Sequence, residues 1–186
     1  MYNIAITGHR PHAYKFASKL PETNFENAFT SKWALSFMDK MTDLIIAKVK
    51  QHGKVRCITG MALGVDQLFA MAAIRAKAET GSVIIHAAVP CINHSSKWPY
   101  KSRKIYDDIL KQCDEIHIVH NGPYTKTCLQ ERNEYMVDMS NELIAIWNGT
   151  SGGTANCIKY AKETHSIISI MTPISFIDSP AEYKAS

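Results

Sequence analysis

The sequence predicts an α/β fold, a single domain built on one doubly wound, mainly parallel sheet flanked by helices. Three observations carry this. Short apolar runs alternate with longer stretches of helical period along nearly the whole chain, which implies right-handed βαβ crossovers. The 186 residues, 46% hydrophobic and 20% charged, suit one globular core rather than a fibre or disordered segment. No internal repeat, low-complexity tract or linker interrupts the alternation.

In chain order, strands are expected near Tyr2 to Ile6, Val55 to Ile58, Val83 to Val89, Glu115 to Val119, Leu143 to Trp147 and Ile167 to Met171, each a short apolar run. Between the first two lies a helix from about Ser31 to Gln51. Its Phe37, Met41, Leu44, Ile45 and Val49 form a stripe of helical period that must face a sheet. A second helix, about Met61 to Thr80, carries Val65, Leu68, Phe69, Ala72 and Ala76; being apolar on most sides, it is expected to be the most buried. Further helices are expected at Pro99 to Gln112, Thr127 to Ser140 and Gly153 to Glu163. Residues 11 to 30 and 90 to 98 are the long irregular segments, and loops of that length in a compact domain are more often functional than idle. The tail after about residue 173 is expected to pack loosely.

At this length about 70% of the unfolded chain's surface becomes buried on folding, so stability requires neither disulfides nor a structural metal. The five cysteines are odd in number and include no C-x-x-C pair, which points to a reducing cytoplasm. Met1-Tyr2-Asn3-Ile4 lacks the basic and apolar regions of a signal peptide. Apolar runs stay short, Val83 to Val89 being interrupted by His86, so no membrane partner is expected. The net charge of +4 and sequence pI of about 8.7 permit an anionic ligand without demanding one, and lie below what marks a dedicated nucleic-acid-binding domain.

Ligands of open parallel sheets bind beyond the carboxyl ends of the strands, and the chemically distinctive residues of this sequence all follow strands. After the first come Thr7, Gly8, His9 and Arg10; after the second, Thr59 to Asp66 with Gly60 and Gly64; after the third, Pro90 to Trp98; after the fourth, Asn121, Gly122, Pro123 and Tyr124; after the fifth, Asn148, Gly149, Thr150, Ser151, Gly152, Gly153 and Thr154. The turns Gly60 to Gly64 and Gly149 to Thr154 open helices. Glycine there lets a backbone approach an anion, and free N–H groups and the helix dipole add positive potential, so both are candidate phosphate cradles. Either could instead be only a tight strand-to-helix turn. Neither matches the P-loop or G-x-G-x-x-G, which disfavours P-loop NTPases and ordinary dinucleotide oxidoreductases. No cofactor is implied.

Arg132 is the most informative position. On the Thr127 to Ser140 helix it falls inside the stripe of Leu129, Met136 and Met139, so its guanidinium must be paired, by an internal carboxylate or by a ligand's phosphate with Asn133 assisting. Glu131, about 100° round the helix, projects off that stripe. Asp66, in the first turn of the second helix, either complements the helix dipole or contacts ribose hydroxyls or acts as a general base. His9 and His12 form H-x-x-H without a third ligand, so no metal site is assigned. Trp98 and Tyr100 either stack on a base or pack against the rim.

These residues carry a resemblance. Thr59-Gly60-Met61-Ala62-Leu63-Gly64-Val65-Asp66 is similar to the S-G-x-A-x-G-I-D segment of the DNA-processing protein A (DprA/Smf) family. Leu129-Gln130-Glu131-Arg132-Asn133, followed by a strand and Ser151-Gly152-Gly153-Thr154, resembles the M-H-E-R-K … G-G-x-G-T pattern of the Lonely Guy phosphoribohydrolases. Both belong to the SLOG superfamily of Rossmann-like domains, and the chain from about residue 2 to 172, with Thr7-Gly8-His9-Arg10-Pro11 at its front, most resembles the YpsA-like branch. The resemblance implies a nucleotide-type ligand held by Gly60, Gly64, Gly152, Gly153 and Thr154, with Arg132 matching the phosphoribohydrolase arginine. Carboxylates follow the G-T pair in those enzymes, whereas here Ala155, Asn156 and Cys157 follow Thr154. Asn156 can hydrogen-bond a ligand but cannot replace a carboxylate in N-glycosidic cleavage, which would have to borrow Asp66 or Glu131.

The leading expectation is a domain that binds a phosphorylated nucleoside derivative (a nucleotide, an ADP-ribose-like molecule or a cyclic nucleotide) as sensor, carrier or sequestering protein. Arg132→Ala is then expected to weaken binding roughly 10- to 150-fold without unfolding the domain. An N-glycoside hydrolase or nucleoside-transferring enzyme using Asp66 is the first alternative. A DNA- or protein-interaction module is the second, by analogy with Smf proteins and the cell-division association of YpsA-like proteins; Lys15, Lys19, Lys101, Arg103 and Lys104 are the short basic clusters that could serve it. Relatives and apolar helix faces suggest a homodimer.

Overall fold

The structure is a computed structural model that describes residues 1–9, 31–164 and 166–176. Arg10, Pro11, His12, Lys15 and Lys19 lie outside the described residues. Six strands, β1 (Tyr2–Gly8), β2 (Val55–Thr59), β3 (Val83–Cys91), β4 (Glu115–His120), β5 (Glu142–Ile146) and β6 (Ile167–Met171), form one sheet in the order β4-β3-β2-β1-β5-β6. Every described pairing is parallel. Five helices connect them: α1 (Lys32–His52), α2 (Val65–Thr80), α3 (Tyr100–Leu110), α4 (Cys128–Asp138) and α5 (Gly153–Glu163).

Strand alternation distributes the core over both faces. Ile4, Ile6, Val55, Cys57 and Ile85 point to α1 and α2, joined there by Phe37, Met41, Ile45, Leu68 and Phe69. Ala5, Ile58, Ala88 and Leu143 point the other way, onto Met136 and Val137 of α4 and Cys157 of α5. A third cluster seats Tyr106 and Ile109 of α3 against Ala87, Val89 and Ala70. As its sequence predicts, α2 is buried nearly all round, with even Asp66 and Gln67 inside.

The chain runs outward from β1 through β2 and β3 to β4, then returns beside β1 to continue through β5 to β6. Strand order therefore reverses between β1 and β5, the position at which open parallel sheets carry their binding crevice.

Three expectations need correction. Helix α2 starts at Val65, not Met61, because Met61 (φ 58°) and Gly64 (φ 98°) adopt left-handed backbone that no helix can contain. The buried face of α4 is Cys128, Arg132, Asn133, Met136 and Val137, while Leu129 and Met139 are only half-buried. That face is turned because α4 packs against α5 as well as the sheet. Of the tail, which beyond residue 176 lies outside the described residues, the start is tightly held. Pro173–Phe176 forms a 3-10 turn on α1, with Phe176 2% exposed, its ring 5.0 Å from that of Phe37, and the Trp33 indole donating to the Pro173 carbonyl at 2.8 Å.

Candidate functional site

Two glycine turns lie at the carboxyl edge of the sheet, and their interiors differ. Between β2 and α2, the Thr59 hydroxyl donates to the Asp66 carbonyl at 2.7 Å and accepts from Met61 N–H at 3.3 Å. The Ala62 N–H donates to Asp66 Oδ2 at 3.2 Å. Two amides that could have faced an anion are thus bonded within the turn.

Arg132 fills the remaining space. Its Nη1 donates to Asp66 Oδ2 at 2.8 Å, with both side chains less than a tenth exposed, and lies 3.7 Å from Met136 Sδ. A Cβ on Gly60 would stand 1.2 Å from Nη1 and 2.8 Å from the carboxylate. Gly60 is therefore glycine to admit the guanidinium, and Gly8 is glycine because β1 meets α2 closely, a Cβ there coming within 2.6 Å of the Val65 side chain. The internal carboxylate is the partner Arg132 has taken. Its Nε is buried and has no hydrogen-bond partner among the described residues.

The turn between β5 and α5 is open among the described residues. Gly149 (φ 88°) and Gly152 (φ 138°) use backbone that side chains resist, and Cβ atoms built on Gly149, Gly152 or Gly153 would meet nothing within 4 Å. No described side chain caps α5, whose first intrahelical bond runs from Asn156 N–H to the Gly152 carbonyl. Among the described residues the amides of Gly152, Gly153 and Thr154 donate to no protein acceptor. Three free N–H groups at the positive end of a helix dipole are an anion-binding arrangement.

The walls of the crevice hold this turn in place. Asn148 Oδ1 accepts from the Thr150 N–H (3.2 Å) and hydroxyl (2.7 Å), and the Trp147 indole donates to the Thr150 carbonyl at 2.7 Å. His9, at the end of β1, has Nε2 3.2 Å from Thr150 Oγ1. Burial, partly offset by a hydrogen bond to Asn148, lowers the His9 pKa below its ordinary value, so the imidazole is neutral at pH 7. From α4, Asn133 Nδ2 donates to the Gly153 carbonyl at 3.4 Å. Thr7 and Thr154 are both buried, Thr7 bonding the Cys157 thiol, whose pKa burial raises to about 11.

The structure thus brings Thr7, His9, Asn133, Asn148, Thr150, Gly152, Gly153 and Thr154 together around one crevice, with Asn156 exposed on the first turn of α5. Gly60, Gly64, Asp66 and Arg132 form the adjoining filled turn. Glu131 is not brought in: it is half-exposed beside the end of β4, 3.8 Å from His120 Nδ1. Asp66 is paired with Arg132 instead of standing free. Among the described residues no group of three or more side chains could hold a metal.

Trp98 stands apart from the crevice. Its ring meets His94 and Tyr106 edge-on at 4.9 and 5.4 Å, and it lines a separate cavity of about 230 Å³ with Asn93, Lys97, Tyr124 and Leu129. Tyr100, 72% exposed, contributes nothing to it.

Asn93 and Tyr124 fall in the segments after β3 and β4 that the sequence marks, though it assigns neither a role; a polar network under α4 it does not mark at all. There Glu115 accepts from Arg56 Nη2 at 3.0 Å and contacts His86 Nδ1 at 2.7 Å, while His86 Nε2 meets the Tyr135 hydroxyl at 3.1 Å. The imidazole, and secondarily Arg56, outweigh burial and hold the Glu115 carboxyl below its ordinary range. The signal available for this network was His86, the polar interruption of an otherwise apolar strand.

The amino-acid sequence from residue 4 to 179 matches the YspA SLOG family. The chain belongs to that family. Over 142 residues this SLOG domain is 30% identical to the uncharacterized SPbeta prophage-derived protein YoqJ of Bacillus subtilis (strain 168), a match covering 70% of this chain and 83% of YoqJ. The DNA processing protein A (DprA) of Streptococcus pneumoniae superposes with a TM-score of 0.62 at 14% identity, covering 91% of this chain and 50% of that protein. The Helicobacter pylori DprA, in a structure concerned with its single-stranded DNA binding mode, superposes with a TM-score of 0.54 at 15% identity, covering 91% and 64%. The SLOG chain thus spans half to two thirds of these DprA proteins, and likeness at such identity shows a common fold. No helix among its described residues is long and apolar enough to cross a membrane.

Proposed function

We propose that this chain is a single SLOG domain that binds a phosphorylated nucleoside derivative at the crevice between β1 and β5, as a sensor, carrier or sequestering protein. The observation that carries the proposal is the open turn Gly149 to Thr154, with three amides free at the head of α5. A phosphate there accepts from Gly152, Gly153 and Thr154, with the Thr150 hydroxyl and His9 on its flank. Arg132 acts from behind. With Asp66 on one edge its net charge is balanced, so it braces the Gly60 turn rather than gripping the ligand alone.

The test uses Gly153→Asp. The new side chain enters open space, and aspartate in a first helical turn is favourable to folding, yet its carboxylate occupies the anion's place. Small molecules released from the heat-denatured wild-type protein are identified by mass spectrometry, and the ligand found is titrated calorimetrically into both proteins. Loss of binding with an unchanged melting temperature is the expected result; equal affinity would defeat the proposal.

Single-stranded DNA is the second reading, favoured by the fold shared with DprA proteins, one of which is described in its single-stranded DNA binding mode. Lys101, Arg103 and Lys104 on α3 would supply phosphate contacts. Each phosphate neutralised adds about 0.7 to the slope of log affinity against log salt for a single strand. Under this reading Arg103→Ala flattens that slope, and a slope near zero in the wild-type protein argues against it.

A further inference from the structure

Resting on the reading of the crevice as a phosphate site, we infer that the cavity between Trp98 and Tyr124 takes a nucleobase, so that the ligand is at least two phosphate-linked nucleosides rather than one. The cavity is preformed. The Ile92 N–H donates to the Gly122 carbonyl at 3.1 Å and the Tyr124 N–H to Asn93 Oδ1 at 2.9 Å, which ties the loop after β3 to the loop after β4. Its walls are the Trp98 indole, the exposed Tyr124 ring and Leu129.

His94 and Ser96 complete the lining, and its donors stand out. With Oδ1 engaged by Tyr124, the amide of Asn93 has its NH₂ to donate. Neither that group, nor the Trp98 indole N–H, nor the Lys97 ammonium has an acceptor among the described residues. Aromatic and aliphatic surface edged by donors matches a planar ring bearing carbonyl oxygens and ring nitrogens, with an attached phosphate near Lys97. At about 230 Å³ the cavity is smaller than the roughly 300–1,000 Å³ of sites that enclose a whole small molecule. It suits one ring of a larger ligand.

Strand order sets how large. The cavity sits over β3 and β4, the open turn over β1 and β5, and the two are separated by three strand spacings. At about 4.8 Å each this is roughly 14 Å. A nucleoside monophosphate, with one sugar between base and phosphate, does not reach across; two phosphate-linked nucleosides do.

Purified protein is titrated with ribo- and deoxyribonucleoside monophosphates, with their 5′-phosphorylated dinucleotides, and with an octanucleotide. At least one dinucleotide is expected to bind tenfold or more tightly than either of its mononucleotides, and Tyr124→Ala and Lys97→Glu, both at exposed positions, to remove that gain. An octanucleotide no tighter than the dinucleotide assigns the two-nucleoside unit to a small molecule, and a much tighter one assigns it to a strand; both sustain the inference. Mononucleotide binding that depends on Gly153 but gains nothing in the dinucleotide overturns this inference and leaves the crevice reading intact. Failure of every nucleotide to bind overturns both.

Discussion

Replacing Gly60 with alanine puts a methyl group where the Arg132 guanidinium now lies, 1.2 Å from Nη1. Backbone strain does not enter, because Gly60 is not among the residues with positive φ. The arginine head must leave, and Asp66, 4% exposed at its side chain, loses the Arg132 cation in a buried site. Removing one partner of a buried ion pair costs about 3–5 kcal/mol. For a domain of this size each kcal/mol lowers the melting temperature by roughly 2–4 °C, so a fall of roughly 6–20 °C is expected. Urea titration and thermal melting followed by circular dichroism measure both quantities. The same substitution in an Arg132→Ala background supplies the internal control: with the guanidinium gone the 1.2 Å clash is relieved and only the 2.8 Å approach to the Asp66 carboxylate remains, so the two costs must be strongly non-additive. For the same reason Arg132→Ala itself is expected to destabilise the domain, contrary to what the sequence suggested. A Gly60→Ala protein within about 0.5 kcal/mol of wild type, or additive costs in the double variant, would refute the assignment of Gly60 to the guanidinium.

The two adjacent glycines of the open turn should separate cleanly. Gly152→Ala, at φ 138°, is expected to cost about 1–3 kcal/mol in backbone strain, while Gly153→Ala, with open space around its Cβ, is expected to change stability by less than about 1 kcal/mol; chemical denaturation of each reads the difference. Burial alone would raise the Glu142 pKa, but hydrogen bonds from Lys48 (2.5 Å) and Ser169 (2.7 Å) outweigh it and hold the carboxyl below its ordinary 4.5. A depressed folded-state value means stability that is present above pH 4.5 and lost as pH falls through the folded-state pKa. Glu142→Gln should therefore flatten the acid side of a plot of urea midpoint against pH, and an unchanged acid limb would contradict the pairing. Burial also raises the Cys57, Cys91, Cys113 and Cys157 thiols, the last two to about 11. A thiol reagent at neutral pH should react slowly with the native protein and quickly once urea unfolds it; rapid labelling of the native state would place a thiol at the surface.

Periodicity made the strands and helices legible, because the spacing of apolar residues is itself the consequence of which face is buried. Six strands read from the sequence are the six that form, and the reversal of strand order at β1 and β5 follows from a parallel sheet whose chain must return. Helix ends were less legible: Met61 through Gly64 carries the composition of a helix, and only the left-handed backbone forced by the turn shows that it is none. The candidate cradles were the harder case. Gly60 to Gly64 and Gly149 to Thr154 look alike as local chemistry, and their difference lies in what arrives from elsewhere.

Local sequence determined where this backbone turns, which faces are apolar, and that Arg132 had to be paired on a buried helix face. Which group pairs with it was decided by the sheet, which sets α4 over the end of β2 so that the guanidinium meets Asp66 across Gly60. Among the described residues no side chain reaches into the turn before α5 as Arg132 reaches into the other, and its amides stay open. A chain encodes its own dihedral preferences and burial pattern over neighbouring residues, whereas the neighbour of a charge is fixed only when distant segments are packed side by side.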